Sequence, residues 1–259
     1  MIKEWLHTLF THAYPGAKEL GLVAESAAIR ARYQRNKKHW QPHLDKTKAI
    51  IRAAVDEAPK NRPIMILGAG ECLDIPLSTL SRHKSGVYLV DIVLSRHILK
   101  RIKPYDTIHY MLHDITGYIT EGADDDMNKA FLPRPPKKPG LVISCNVMSQ
   151  LYLPFASSPP QDDDDRLIID AMVRDHIDLL KRTGTKTLLI SDYERLVYNG
   201  DKNADPVIEE TIPRPIIDSE LGAPTEKWQW AICPKGELKK GKTAVLNVGL
   251  WDLTTTTNA

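Results

Sequence analysis

From Pro63 onward the chain repeats one texture: a short, wholly apolar run, then a longer polar stretch with helical spacing. The runs are Ile64-Met65-Ile66-Leu67, Val87-Tyr88-Leu89-Val90, Thr107-Ile108-His109-Tyr110-Met111-Leu112, Leu141-Val142-Ile143-Ser144 and Thr187-Leu188-Leu189-Ile190. Side chains alternate between the two faces of a strand, so runs apolar on both parities need cover on both faces. That is the position of strands in a parallel sheet with helices above and below. One covering helix is predicted from about Asp164 to Arg182, with Leu167, Ile168, Met172, Ile177 and Leu180 inward, acids at its start, Lys181 and Arg182 in its last turn, and Gly184 beyond. After it the pattern changes: Lys227 to Ile232 and Lys242 to Trp251 alternate around Gly236 and Gly241, which predicts an antiparallel hairpin at the sheet edge. Three segments give no assignment: Gly122 to Pro139, Pro154 to Asp163, and Tyr198 to Pro224, which hold most of the 18 prolines.

The residues before Pro63 differ in charge and in period. Positions 1–60 carry eleven Lys and Arg against six Asp and Glu, leaving 24 against 27 for 61–259, so a chain of net charge +2 divides into a basic preface and a slightly acidic body. A boundary near residue 60 is expected. Ala17 to Lys38 reads as one helix, with Ile29, Tyr33 and Trp40 on one face; Pro42 opens a second, in which Leu44, Ile51, Val55 and Ala58 recur until Pro59 and Pro63 close it. With 42% hydrophobic and 26% charged residues the composition is that of a globular chain. No run approaches the 18 apolar residues of a membrane span, and Met1 to His7 lacks the features of a secretory signal. Cys72, Cys145 and Cys233 are odd in number and widely spaced, as expected of reduced thiols in a cytoplasmic protein. The acidic runs Asp124 to Asp126 and Asp162 to Asp165 read as a solvated loop and a helix start, and no metal site is expected.

The strongest chemical signal is Leu67-Gly68-Ala69-Gly70-Glu71-Cys72-Leu73-Asp74, directly after the first body strand. Two glycines allow a tight turn and close approach of a ligand, and a helix following them would aim free N–H groups at an anion. Asp91 closes the second strand about twenty residues on, where an acidic side chain can hold ribose hydroxyls. A dinucleotide fold places a third glycine where this chain has Leu73, which disfavours NAD. His109, His113 and Asp114 could form a metal triad, and Cys145 a nucleophile, but burial in a central sheet accounts for both.

With His113-Asp114-Ile115-Thr116-Gly117 ending the third strand and Ser144-Cys145-Asn146-Val147-Met148-Ser149-Gln150-Leu151 the fourth, residues 62–253 resemble the class I S-adenosylmethionine-dependent methyltransferases. The resemblance implies a Rossmann-like α/β fold: a mostly parallel seven-stranded sheet with helices on both faces, a C-terminal antiparallel hairpin, and here an N-terminal helical extension or lid over 1–60 on a cofactor-binding domain over 61–259. It implies S-adenosylmethionine as cofactor, held by Gly68, Ala69, Gly70 and Glu71 on the methionine side, by Asp91 and Ile92 at the ribose, by Asp114 and Ile115 at the adenine, and by Asn146 near the reacting methyl. The family commonly has an acidic residue where this chain has Ile66, so Glu71 or Asn146 would have to meet the cofactor ammonium.

Methyl transfer asks the protein for alignment and, at times, a proton acceptor. Asn146, Tyr152 and Tyr193 are the catalytic candidates, with Gln150 and Asp192 near them. A small-molecule acceptor is expected, with no membrane partner. RNA is the alternative acceptor, through Arg30, Arg32, Arg35, Lys37, Lys38, Lys46, Lys48 and Arg52 interleaved with Tyr33, His39, Trp40 and His43, which face only Asp45 among acids. A non-catalytic cofactor-binding scaffold is the third reading, motivated by Ile66.

Overall fold

The structure is a computed structural model that describes residues 11–119, 131–199 and 205–254; Met1 to His7 and Asp124 to Asp126 lie outside them. In chain order the elements are β1 (His12–Ala13), α1 (Leu22–Glu57), β2 (Ile64–Leu67), the single turn α2 (Leu77–Leu80), β3 (Val87–Asp91), β4 (Val93–Leu94), α3 (Arg96–Ile102), β5 (Ile108–Leu112), β6 (Leu141–Cys145), α4 (Asp163–Lys181), β7 (Lys186–Tyr198), β8 (Val207–Glu210), β9 (Glu226–Cys233) and β10 (Thr243–Asp252).

The main sheet runs β5-β3-β2-β6-β7-β10-β9, with β8 paired to the far end of β7. Strands β5, β3, β2, β6 and β7 are parallel, while β10 and β9 are antiparallel. All five predicted body strands and the closing hairpin are present, in a sheet whose order reverses on either side of β2. Alternation along β2 divides the core: Ile64 and Ile66 pack with Ile51, Val55, Leu80 and Ile98, whereas Met65 and Leu67 pack with Met172, Val173 and Ile177 of α4. Helices therefore cover both faces.

Four expectations need correction. The preface is two helices as expected, but they meet at a kink at Asn36 (φ −115°, ψ 21°), whose side-chain amide donates to the Arg32 carbonyl at 3.0 Å, and Pro42 lies inside the second instead of opening it. That second half shares one core with the body, because Ile50, Ile51, Ala54, Val55 and Ala58 pack on the strands. In α4, Met172, Ile177 and Leu180 are buried as predicted, but Leu167 is 68% exposed: it stands two residues, about 200° of helix, from the buried Ile169. No long helix follows the glycine loop. Cys72 takes a left-handed conformation (φ 51°) and Pro76 precedes the single turn α2, so regular helix has little room before β3.

Candidate functional site

A cavity of about 440 Å³ opens at the carboxyl ends of β2, β3 and β6, beside the point where the sheet order reverses, the place where open α/β sheets bind ligands. Its floor is the Gly68–Asp74 loop, and its roof includes Leu22, Glu25, Ile29 and Arg32 from the first half of α1. Two glycines of the loop serve different ends. Gly68 (φ 75°) is forced by packing: a Cβ there would lie 2.5 Å from Val147 Cβ and 2.7 Å from the Cys145 carbonyl. Gly70 (φ 45°) has no atom within 4 Å of its absent Cβ and so leaves open space at the cavity floor.

Asp91 ties the loop to β3. Its Oδ2 accepts from the Gly70 N–H (2.8 Å) and its Oδ1 from the Val93 N–H (3.1 Å), so the glycine loop and the strand-end carboxylate that the sequence pairs are bonded to each other. Desolvation by the surrounding protein raises the Asp91 pKa, and these N–H donors oppose it. Glu71 is 5% exposed, lines the cavity, and neither carboxylate oxygen has a hydrogen-bond partner among the described residues. An unpaired buried carboxylate is costly, so this position calls for a cationic or hydrogen-bond-donating ligand group. Arg101 does not supply one: it donates instead to the carbonyls of Glu71 (2.7 Å) and Cys72 (3.2 Å), bracing the loop from below.

Ile92, Asp114 and Ile115 line the cavity too. The Asp114 carboxylate accepts from Thr116 N–H (2.9 Å), Thr116 Oγ1 (2.6 Å) and Ile119 N–H (2.9 Å), so it also organises the loop after β5. His113 lines the same cavity, but it and His109 are engaged with aromatic neighbours. His109 lies against Tyr88, His113 against Phe131, and among the described residues no three His, Cys, Asp or Glu side chains form a metal site.

Past β6 the chain passes through Asn146 in a left-handed conformation (φ 51°), which puts the side chain into a buried polar group with Asp74 and His43. Cys145 is buried, its thiol 3.6 Å from Asp74 and its pKa pushed well up by burial, the opposite of an activated nucleophile. Tyr152 lines the cavity and donates to the Thr211 carbonyl (2.7 Å), and burial pushes its phenol up to about 12. Asp192 accepts from Ser149 Oγ (2.7 Å) at the cavity wall, and burial raises its pKa. Tyr193 is not at the cavity. Strand β7 continues to Tyr198, so residue 193 faces the opposite side from residue 192 and packs edge-on against Trp251.

The sequence reading missed Asp74 and Trp230 as cavity groups, and the stacking of Trp230 on His43 at 4.0 Å between ring centres. The signal available was the alternation Trp228-x-Trp230, which puts both indoles on one face of β9. It also missed where two basic residues go: Arg35 makes a two-bonded ion pair with Glu237, and Lys46 pairs with Glu226, acids brought from the far end of the chain.

The fold is a mostly parallel, Rossmann-like α/β sheet with a closing antiparallel hairpin. Among solved structures the chain is similar to the 1,6-didemethyltoxoflavin-N1-methyltransferase of Burkholderia thailandensis with bound 1,6-didemethyltoxoflavin and S-adenosylhomocysteine, at 13% identity and TM-score 0.42 over 93% of this chain and 91% of that one. It is similar also to the N-methyltransferase NodS of Bradyrhizobium japonicum WM9 in complex with S-adenosylhomocysteine (11%, TM-score 0.42, 85% and 97%) and to the 23S rRNA methyltransferase ErmE (12%, TM-score 0.34, 79% and 67%). A likeness at this level assigns neither a family nor a substrate. No family model and no curated protein matches the sequence.

Proposed function

We propose that the chain is an S-adenosylmethionine-dependent methyltransferase with a small-molecule acceptor. The observation that carries the reading is the unpaired, buried Glu71 carboxylate next to the bonded Gly70–Asp91 pair at the cavity floor. Those groups suit a ligand with an ammonium, a ribose and open space for a chain over Gly70. In this reading Gly68 to Gly70 and Glu71 hold the methionine end, with Glu71 replacing the acid absent at Ile66. Asp91 and Ile92 hold the ribose, and Asp114 and Ile115 border the adenine. When bound, the cofactor supplies an electrophilic methyl group on a sulfonium.

The chain's own contribution is to orient the acceptor, exclude water and take a proton. Asp192, whose pKa is raised, suits the last of these better than Tyr152, which stays protonated at neutral pH with its proton directed at the Thr211 carbonyl. The first half of α1 closes the cavity from above, which fits a lid over a compact acceptor. RNA is less favoured, because Arg35 and Lys46 are spent on ion pairs within the protein. Engagement of about five phosphates would still betray itself by a log–log salt slope of roughly −3.5, against a shallow one for a small acceptor.

Calorimetry with S-adenosylmethionine, S-adenosylhomocysteine and NADH tests the reading. The first two bind. Glu71→Gln and Asp91→Ala each lose about 1.5–3 kcal/mol of that binding, the range for hydrogen bonds to a charged group. Absence of binding, or tighter binding of NADH, refutes it. Binding without methyl transfer to any component of a metabolite and RNA extract would instead favour the scaffold.

A further inference from the structure

The polar group beneath the cavity has a proton arrangement that its donors dictate. Trp228 Nε1 can only donate, and it lies 3.0 Å from His43 Nδ1, so that ring nitrogen is an acceptor. Burial holds His43 neutral, with its pKa lowered to about 3, so its single proton is on Nε2. That N–H faces the Asn146 carboxamide at 3.3 Å and requires the carboxamide oxygen there. The same carboxamide atom is 2.7 Å from Asp74 Oδ2. Two oxygens at that distance repel unless a proton lies between them. The carboxamide nitrogen then takes the place of the buried carboxamide atom that has no protein partner, at a residue that lines the cavity.

We propose that Asp74 is protonated and donates to Asn146, and that His43 and Trp228 are positioning residues which lock Asn146 with its N–H₂ free for a ligand. The end of β6 thus offers a donor, suited to a carbonyl, carboxylate or ring-nitrogen acceptor atom, with no negative charge at Asp74 beside it. The other groups around Asp74 agree with this. The Cys145 thiol at 3.6 Å can still donate to its oxygen, and burial raises the Asp74 pKa against the opposing Asn146 contact, the Asp74 backbone N–H, the Cys145 thiol and the field of Lys48 on α1. The assignment of protons stands on the protein alone; only its use by a ligand rests on the function proposed above.

Infrared spectroscopy of the ligand-free protein at neutral pH shows a protonated-carboxyl band that Asp74→Asn removes and Asp192→Asn leaves. Nitrogen-15 NMR of the wild type shows His43 as the Nε2–H tautomer. Trp228→Phe, which frees Nδ1, lets His43 change tautomer and shifts or abolishes the carboxyl band. A missing band, or an Nδ1–H tautomer in the wild type, overturns the proposal, and neither measurement depends on a variant folding. With S-adenosylhomocysteine as probe, Asn146→Asp, which exchanges the free N–H₂ for an oxygen, weakens binding about tenfold or more. Undiminished affinity overturns the ligand-facing role. A wild type with the band and the tautomer but no affinity for this probe sinks the methyltransferase reading and leaves the proton assignment standing.

Discussion

Single residues in this molecule answer to different neighbours even where the sequence repeats them. Gly68 and Gly70 both have positive φ, but only Gly68 is hemmed in by Val147 and the Cys145 carbonyl. Gly68→Ala adds steric overlap to backbone strain and should cost about 2–4 kcal/mol in chemical denaturation. Gly70→Ala should cost about 1–2 kcal/mol from backbone alone, while its methyl group intrudes on the ligand space and weakens cofactor binding disproportionately. His176 makes a second residue-scale test. It is fully enclosed, bonded through Nε2 to Ser144 Oγ (2.8 Å), and burial lowers its pKa to about 4. The unfolded chain takes up that proton near pH 6.5 and the folded one does not, so stability is full above about 6.5 and falls as pH drops toward 4. A shift of that size is worth on the order of 3 kcal/mol. Between pH 7.5 and 4.5 the denaturation free energy of wild type should therefore fall more steeply than that of His176→Gln.

At the scale of elements, α1 separates what its composition advertises from what holds it. Its basic residues suggest an electrostatic role, yet its attachment runs through Trp40, buried against Trp230 and donating to the Ile232 carbonyl at 3.1 Å. Trp40→Ala should destabilise by about 3–5 kcal/mol. Arg35→Ala breaks an exposed ion pair and should cost less than about 1 kcal/mol, declining further with added salt. Denaturation in low and high salt distinguishes the two contributions. The apolar spacing Leu44, Ile51, Val55 and Ala58 was enough to find the buried stripe of this helix, and all four are buried. The kink was not legible, because Pro42 is the stronger helix breaker in isolation and only the Asn36 side chain, folded back on Arg32, decides where the rod bends.

For the whole molecule, the bend at Asn36 divides α1 into a half that roofs the cavity and a half that belongs to the sheet core. On the proposed function, a chain beginning at residue 36 should keep a cooperative thermal transition while losing methyl transfer more than cofactor affinity. A chain beginning at residue 41 lacks Trp40 and should be markedly less stable. If the first of these transfers methyl as well as the full chain does, the roof has no part in catalysis.

The sequence by itself determined the five parallel body strands, the hairpin and the pairing of the glycine loop with Asp91, because each is written in local periodicity or in a short spacing that sheet geometry converts directly into position, whereas the short strands β1, β4 and β8 were not legible. It could not determine which residue faces the cavity on β7, since that depends on how far the strand runs: continuation to Tyr198 sets Asp192 toward the cavity and Tyr193 on the opposite face against Trp251. Nor could it assemble His43, Asp74, Asn146 and Trp228, four residues from a helix, a loop, a strand end and the closing hairpin. Their protons are set by who donates to whom across up to 185 positions of chain, a relation that exists only once the sheet has brought them within hydrogen-bond reach.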